Sequence, residues 1–349
     1  MNTLNQNPYV QEILSQADSA KSALNKFEPS SLRLLIQSIQ RGGFDRIVLT
    51  GMGASLFASY PIWLQLVHAG LPAYWIDCAE FIHHARLIVS RRTLVWITSQ
   101  SGRSAEIVAA LELIKQAGAT ILATVNDLTS PLAQAAPYLV PIHAEVEGTV
   151  STRTYVNTLA VSQLAELALT NGDISKGLDE LNVTADSMAG YFADWENHLQ
   201  MIKEHFTRTS SLFLLGRGSS LAAAYTGALI LGEASKVPAT GMQAAEFRHG
   251  PMELASPNLT TLLFAGPRET QELNIRLHKD LIGAGAYSIW VTSPDAARLE
   301  PYLLMPRAVG IGLPLAEIIP IQMLTIHLAM ENGIEAGKFF RSGKITLSE

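Results

Sequence analysis

The sequence predicts an α/β protein built from two parallel-sheet domains in tandem. Two observations lead to this fold class: a self-repeat that spans both halves of the chain, and the alternation of short apolar runs with helical patterns inside each copy. The length of 349 residues also suits two domains of about 150 residues each. Each copy is therefore expected to be a layered αβα sandwich.

The repeat is clearest around two glycine-rich turns. At an offset of 165 residues, IVLTGMGASLFASY (47–60) aligns with LFLLGRGSSLAAAY (212–225), and seven of the fourteen positions are identical. At an offset of 167, AGA at 117–119 aligns with AGA at 284–286, and an apolar run follows each. The order of elements is thus duplicated, which predicts parallel strands with crossover helices in both copies.

The strands follow from the short apolar runs that are rich in β-branched and aromatic residues. We predict them at residues 46–50, 73–76, 94–98, 120–125, 138–142, 211–215, 260–265, 287–292 and 306–311. The resulting domains are a helical arm at 1–29, a first domain at 30–170, a helical linker at 171–205, a second domain at 206–335 and a tail at 336–349.

The most apolar stretch, residues 309–330, is interpreted as a buried helix. Pro314, Glu317, Pro320 and His327 interrupt it, and such residues are awkward inside a bilayer. We therefore expect no membrane span.

Composition and charge exclude several classes of protein. With 48% apolar and 16% charged residues, the chain is typical of a globular protein and not of a disordered or fibrous one. The net charge of −6 provides no basic field for a nucleic-acid partner. Cys78 is the only cysteine, so an intrachain disulfide and a CxxC site are excluded. Since the N-terminus also lacks a signal-peptide pattern, we expect a cytoplasmic location.

A phosphate cradle is predicted in the first copy. SQSGRS (99–104) follows an apolar strand and leads into a helical pattern, and Ser55 lies in the other turn at the same carboxyl edge of the sheet. Serine hydroxyls and the free N–H groups of a helix N-terminus can surround an anion. The alternative is that these serines only cap helices. Two such loops at one edge favour the phosphate site.

The second copy offers groups for proton transfer instead. Its corresponding loop, GPRET (266–270), lacks the paired serines and carries an acid, so we predict one phosphate site per chain. Glu233 is followed sixteen residues later by His249. A carboxylate and an imidazole suit proton transfer between adjacent sugar carbons and opening of the sugar ring. Taken singly, each is more typical of a solvated residue or a turn residue.

Two further polar segments are candidates. Lys344 would serve as a cation or as an amine nucleophile if the tail folds back onto the site. The loop that contains Glu145, Glu147 and STR (151–153) either closes over a ligand or caps the next helix. His83 and His84 receive no metal role, because adjacent side chains on a helix diverge.

The segments SQSGRSAE, GMGAS, GALILGEASKVPATGMQAAEFRHGP and GKIT together resemble the tandem SIS (sugar isomerase) domain family. This family includes the isomerase half of glucosamine-fructose-6-phosphate synthase and stand-alone aminosugar-phosphate deaminases. The resemblance covers nearly the whole chain, and the sixteen-residue Glu-to-His spacing is its most specific part. It implies two tandem SIS domains, each a three-layer αβα sandwich with a parallel, flavodoxin-like sheet.

The resemblance also implies roles for individual residues. Glu233 matches the base that moves a proton between C1 and C2, and Lys344 matches a tail lysine near the carbonyl carbon. His249 matches a ring-opening histidine that comes from the neighbouring subunit, which implies a homodimer. The positions expected to bind the phosphate are Ser55, Ser99, Gln100, Ser101 and Ser104. Further substrate contacts are expected at Gly53, Ser151 and Arg341, and neither a metal nor another cofactor is implied.

The chain departs from the synthase pattern at three places. Ile230 stands where the synthase has a lysine, Phe339 and Phe340 replace a Pro-Arg pair, and Arg341 lies one position further on. The glutaminase domain has no counterpart, so glutamine-driven synthesis is not expected. The expected reaction converts glucosamine 6-phosphate and water to fructose 6-phosphate and ammonia. Galactosamine 6-phosphate, cleavage of a fructosamine 6-phosphate, and a non-catalytic sugar-phosphate sensor stay open as alternatives.

Overall fold

The structure is a computed structural model that describes residues 4–206, 211–341 and 343–344. Parts of the predicted arm, second domain and tail, at 1–3, 207–210, 342 and 345–349, lie outside the described residues. The described chain divides into two compact units. The first-repeat unit contains residues 19–147, 152–179 and the described part of 340–344, and the second-repeat unit contains the described residues of 4–18, 148–151 and 180–339.

Among the described residues, ten strands form two five-stranded sheets. They are β1 (Arg46–Gly51), β2 (Ala73–Asp77), β3 (Thr93–Ser99), β4 (Thr120–Val125), β5 (Tyr138–Pro141), β6 (Ser211–Gly216), β7 (Ala239–Gln243), β8 (Leu259–Phe264), β9 (Tyr287–Thr292) and β10 (Tyr302–Leu304).

Fifteen α-helices are found in the described residues. They are α1 (Pro8–Leu14), α2 (Gln16–Asn25), α3 (Arg33–Gln40), α4 (Ala54–Ala58), α5 (Tyr60–His68), α6 (Cys78–His83), α7 (Ala105–Ala117), α8 (Pro131–Ala135), α9 (Arg153–Thr170), α10 (Ile174–Ala193), α11 (Trp195–His205), α12 (Leu221–Ile230), α13 (Ala244–Phe247), α14 (Gln271–Gly283) and α15 (Leu313–Glu331).

Both sheets have the same strand order. The first runs β2-β1-β3-β4-β5 and the second runs β7-β6-β8-β9-β10, with all neighbouring strands parallel. This order confirms the predicted pair of flavodoxin-like α/β folds. In such sheets ligands bind at the carboxyl ends of the strands, where the chain switches direction between the first strand and the third.

Helices cover both faces of the first sheet, which explains why its strands are apolar throughout. Along β1, Val48 packs into a cluster with Phe81 of α6. Its neighbours Ile47 and Leu49 pack on the opposite face in a cluster with Val161 of α9. The alternation follows from the two-residue period of a strand. The sheet is therefore a rigid support for the loops at its edge.

Two strand predictions in the second copy need correction. The predicted strand at 306–311 is wrong: the edge strand is β10, and Gly310–Gly312 forms a 3₁₀ turn. Pro306 lacks the N–H group that a continued ladder would use. The strand β7 was missed because ATGMQ (239–243) has a weak apolar pattern, and it pairs only with β6.

The apolar stretch near the C-terminus is the buried helix α15. Residues 310–331 are long and apolar enough to cross a membrane, with a mean hydropathy of 1.5, but 89% of the most apolar window is buried in the protein. Its polar side chains have partners: Gln322 and Gln16 exchange hydrogen bonds, and a ring nitrogen of His327 contacts the carbonyl of Phe206. These contacts are typical of a core helix.

Candidate active site

The two glycine-rich loops of the first copy lie side by side. Gly51 at the end of β1 pairs with Thr98 near the end of β3, so both strands deliver their following loops to one edge of the sheet. Gly53 has a φ of +52° and Gly102 a φ of +61°, which residues with a Cβ rarely adopt. The edge is the switch point of the sheet, as the sequence predicted for a ligand site.

Two of the predicted phosphate serines shape their own loop. Ser99 and Ser101 are buried, and their hydroxyls accept hydrogen bonds from the backbone N–H groups of Gly102 (3.0 Å) and Arg103 (3.2 Å). The Arg103 guanidinium forms a salt bridge with Asp127 at 2.8 Å. Ser99 and Ser101 therefore stabilise the conformation of the loop. The Arg103 guanidinium is already paired with Asp127 on the exposed side of the loop.

The other predicted phosphate residues keep their side chains available. Ser55, Gln100 and Ser104 are partly exposed, and none of them forms a side-chain hydrogen bond within the described part of the chain. Ser104 stands at the N-terminus of α7 without capping it. Polar groups at a helix N-terminus and beside free N–H groups can receive an anion.

In the corresponding turn of the second copy, the serine side chain already has a hydrogen-bond partner within the protein. Gly218 has a φ of +57°, matching Gly53, but the fully buried Ser220 donates to the carboxyl group of Glu317 at 2.7 Å. Beside the next loop, Asn274 of α14 donates to the backbone carbonyls of Phe264 and Ala265 at the end of β8 and accepts from Arg217 at 2.8 Å. The difference between the copies supports the expectation of one phosphate site per chain.

The buried carboxyl of Glu317 gives a testable dependence of stability on pH. Burial raises its pKa to about 8, although the hydrogen bond from Ser220 opposes the shift. The unfolded chain releases this proton near the ordinary glutamate pKa, so the native state is destabilised as pH rises towards 8, by up to about 1.4 kcal/mol per pH unit. We expect Glu317→Gln to lose this contribution, so that thermal unfolding shows it to be more stable relative to wild type at pH 8 than at pH 5. A stability difference independent of pH would contradict the assignment.

Lys344 of the tail forms a salt bridge with Glu147. The Nζ atom lies 2.6 Å from Oε2 of Glu147, whose side chain is 0% exposed, whereas Lys344 is 21% exposed. The same carboxylate accepts hydrogen bonds from the hydroxyls of Thr152 (2.7 Å) and Thr154 (2.6 Å). The tail therefore folds back onto the loop that precedes α9.

Electrostatics identify Glu147 as an ionised, buried carboxylate. Burial alone would raise its pKa, but the ammonium of Lys344 and the hydrogen bonds from Thr154 and Thr152 lower it below the usual value. In the sequence, Glu147 is one of two acids in a polar loop. Its partner is 197 residues away in the chain, so no local pattern could indicate the pair.

A second buried acid holds the loop that follows Glu147. Glu12 of α1 accepts hydrogen bonds from the N–H group of Gly148 at 2.7 Å and from the hydroxyl of Thr149. Ser151 follows on the same loop and is partly buried. No sequence pattern pointed to Glu12, because it lies in an ordinary helical segment.

The two predicted proton-transfer residues belong to the second-repeat unit. Glu233 is partly exposed on a π-helical turn, Leu231–Ser235, which follows α12 directly. His249 is exposed after α13, with its backbone N–H bound to the carbonyl of Glu246 at 2.8 Å. Single π-helical turns inside helices are frequent at functional sites.

The remaining predicted positions are distributed as follows. The first-repeat unit contains Gly53, the phosphate residues, Lys344 and the exposed Arg341, and the second-repeat unit contains Ser151, Glu233 and His249. Ile230, which stands where the synthase has a lysine, is fully buried at the end of α12.

Comparison with known proteins decides the family. The SIS domain model matches residues 44–168 and 205–330, which include both sheets almost completely. The chain belongs to the SIS domain family. This SIS protein is 27% identical over 342 residues to the isomerizing glutamine–fructose-6-phosphate aminotransferase of Thermococcus kodakarensis, an alignment that covers 94% of the chain but 56% of the relative. The chain thus spans about half the length of the curated relatives it matches.

Solved structures share the tandem SIS fold over nearly the whole chain. A glucosamine-6-phosphate deaminase from Thermotoga maritima superposes with a TM-score of 0.77 at 16% identity, covering 97% of this chain and 99% of that one. A tagatose-6-phosphate ketose/aldose isomerase from Escherichia coli superposes with a TM-score of 0.81 at 19% identity, covering 95% of each chain. At these identities the comparison establishes the fold.

Proposed function

We propose that this SIS protein is a phosphosugar isomerase that acts as an aminosugar-phosphate deaminase. It converts glucosamine 6-phosphate and water to fructose 6-phosphate and ammonia. The observation that carries the proposal is the asymmetry between the repeats. In the first copy, the side chains of Ser55 and Ser104 at the switch point form no hydrogen bond within the described residues. In the second copy, Ser220, the counterpart of Ser55, donates to the buried carboxyl group of Glu317.

The residues take the following parts in the reaction. The serine cradle binds the phosphate and positions the sugar, and His249 opens the pyranose ring. Glu233 removes the proton from C2 and returns it to C1, so that the C1 aldehyde becomes an alcohol and the C2 amine becomes an imine. Water then adds to C2 and ammonia leaves, which gives the ketose phosphate.

Lys344 is assigned the role of a cation. Its nitrogen donates to the buried carboxylate of Glu147, so it has no free electron pair for attack on a carbonyl carbon. An ammonium held in this way stabilises negative charge that develops on the carbonyl oxygen during enolisation. Two roles were open for Lys344 from the sequence, a cation and an amine nucleophile, and the salt bridge with Glu147 favours the cation.

A homodimer in which His249 serves the neighbouring subunit is part of the proposal. The exposure of His249 is compatible with such a role. Sedimentation should then give a species of at least twice the chain mass, and a monomer with full activity would contradict it.

One assay tests the reaction and the substrate together. The purified protein is incubated with glucosamine 6-phosphate, with its galacto epimer and with a fructosamine 6-phosphate, while ammonia, amino acid and ketose phosphate are measured. Ammonia and fructose 6-phosphate from the gluco substrate are expected. Turnover of only the galacto epimer, or release of an amino acid, would replace the proposed substrate. Binding of these sugars without any turnover would indicate a sensor.

A further inference from the structure

The π-helical turn that carries Glu233 ends at a residue in an unusual backbone conformation. Lys236 has a φ of +59°, a left-handed value that non-glycine residues seldom adopt. Such conformations persist where surrounding contacts hold them, and they cluster at functional sites. The contacts that hold Lys236 in this conformation therefore bear on the function of the turn.

The Lys236 ammonium bridges two backbone carbonyls. Its Nζ donates to the carbonyl of Glu233 and, at 2.7 Å, to the carbonyl of Lys338. Lys236 is partly buried, and burial lowers its pKa while the charge of Glu233 opposes the shift. In this left-handed conformation, the Lys236 side chain lies over the C-terminal end of the π-helical turn and contacts the backbone of Glu233, the proposed base.

The segment that follows α15 makes two further hydrogen bonds to this turn. The side chain of Asn332 donates to the carbonyl of Ser235 at 2.9 Å, and the N–H group of Gly337 donates to the carbonyl of Ala234 at 3.2 Å. Gly337 has a φ of +78°, and a Cβ there would lie 2.5 Å from the Cβ of Tyr9. Residues 332–338 are thus fixed against the N-terminal helix α1 and form a firm support for the turn.

The direction of the Glu233 side chain depends on how this turn is closed. A π-helical turn contains one more residue than an α-helical turn. Relaxation to an α-helical turn would remove one residue from the turn and rotate the Glu233 side chain about the helix axis. The carbonyl contacts of Lys236 secure the C-terminal end of the π-helical turn.

We propose that Lys236 is a positioning residue for Glu233, and that its ammonium aims the carboxylate by joining the carbonyl of Glu233 to that of Lys338. The role in turnover rests on the proposed function, because it assumes that Glu233 is the base. Lys236 itself does not touch the substrate in this scheme. Its contribution is to keep the turn closed in the π-helical form.

Three variants separate positioning from backbone strain. Lys236→Met removes the ammonium and keeps the side-chain volume, whereas Lys236→Gly removes the ammonium and also relieves the left-handed conformation. We expect both to lower kcat by about 30-fold or more, with KM changed less than about threefold because the phosphate serines are untouched. Lys236→Arg still offers donors to two acceptors and should recover part of kcat. Retention of kcat by Lys236→Gly would overturn the proposal.

Lys338→Met is the matched control. It removes the side chain of a nearby exposed lysine, whose ammonium pairs with Glu335 at 3.0 Å, and it leaves the Lys338 carbonyl in place. Unchanged kcat is expected. If Lys338→Met lowered kcat as much as Lys236→Met, the positive charge of the region and not the carbonyl bridge would be responsible, and the proposal would be overturned.

A readout without turnover distinguishes this inference from the proposed reaction. Hydrogen exchange of the amides at 231–237, measured by mass spectrometry, should be faster in Lys236→Met and Lys236→Gly but not in Lys338→Met. Unchanged exchange would overturn the positioning role even in an active enzyme. Faster exchange in a protein that turns over no hexosamine phosphate would support the bridge and reject the proposed reaction.

Discussion

Replacing Glu233 by glutamine should abolish turnover of glucosamine 6-phosphate while sugar-phosphate binding is largely kept. Glutamine has the shape of glutamate but no basic electron pair to remove the C2 proton. General-base removal typically costs a factor of about 100 to 10,000, and we expect a loss of kcat in the upper part of that range. Because the proposed phosphate site is the serine loop and does not include Glu233, the inhibition constant of a non-reactive hexitol 6-phosphate should change by less than about threefold.

The matched control is Glu253→Gln, which removes an exposed carboxylate from the same unit. It should leave both kcat and inhibitor binding unchanged. Ammonia release by Glu233→Gln at the wild-type rate would remove Glu233 from the mechanism. Loss of inhibitor binding together with kcat would instead indicate that the carboxylate mainly binds substrate.

Replacing Glu147 by glutamine is expected to reduce both stability and kcat. The carboxylate is fully enclosed, and its loss leaves the Lys344 ammonium without its counter-charge. Thr152 and Thr154 now donate hydrogen bonds to the carboxylate oxygens of Glu147. In the variant, some of these donors would face the glutamine NH₂ group, which is itself a donor. Breaking one side of a buried ion pair typically costs about 3–5 kcal/mol, so denaturant unfolding should show a loss of about that size.

The pH dependence follows from the direction of the Glu147 pKa shift. Because the pKa is lowered in the folded state, the stabilisation is complete above the ordinary glutamate pKa and is lost as pH falls through the lowered value. The stability gap between wild type and Glu147→Gln should therefore be constant from about pH 5 to 8 and should shrink only in acid. A gap that grows towards acid would contradict the ion pair.

Glu145→Gln is the control for this variant. Glu145 lies two residues away and pairs with Arg153 at 2.7 Å, but its side chain is 79% exposed. The Glu145 carboxylate is solvated, although the Arg153 side chain is only 10% exposed and also donates to the carbonyl of Val146, so we expect a smaller loss of stability than for Glu147→Gln. A double-mutant cycle with Lys344→Met completes the test. If Glu147 acts through Lys344, adding Glu147→Gln to Lys344→Met should not lower kcat further, whereas additive losses would indicate separate roles.

The sequence predicted all five strands of the first sheet and the three central strands of the second, but not the two edge strands of the second sheet. The strands at 120–125 and 287–292 agree with the structure to the residue, because buried parallel strands are continuous apolar runs. The edge strands β7 and β10 pair on one side only and carry less of this signal. The repeat predicted parallel strands in both copies, whereas the flavodoxin-like strand order was implied by the resemblance to the SIS family.

The site was predictable only where it depends on strand ends. The serines follow β3 directly, so their position at the sheet edge follows from the fold. The pairing of Lys344 with Glu147 and of Ser220 with Glu317 joins residues 197 and 97 positions apart, which a single sequence does not reveal. The π-helical turn at Glu233 was also missed, since its apolar pattern is continuous with α12.

The internal pairing of Ser220 with Glu317 has an evolutionary consequence. Residues 47–60 and 212–225 are copies of one repeated segment, and in the second copy Ser220 has become a fully buried residue whose hydroxyl donates to Glu317. Replacement of Ser220 is therefore constrained by packing and by the loss of a buried hydrogen bond, whereas replacement of its partly exposed counterpart Ser55 is not.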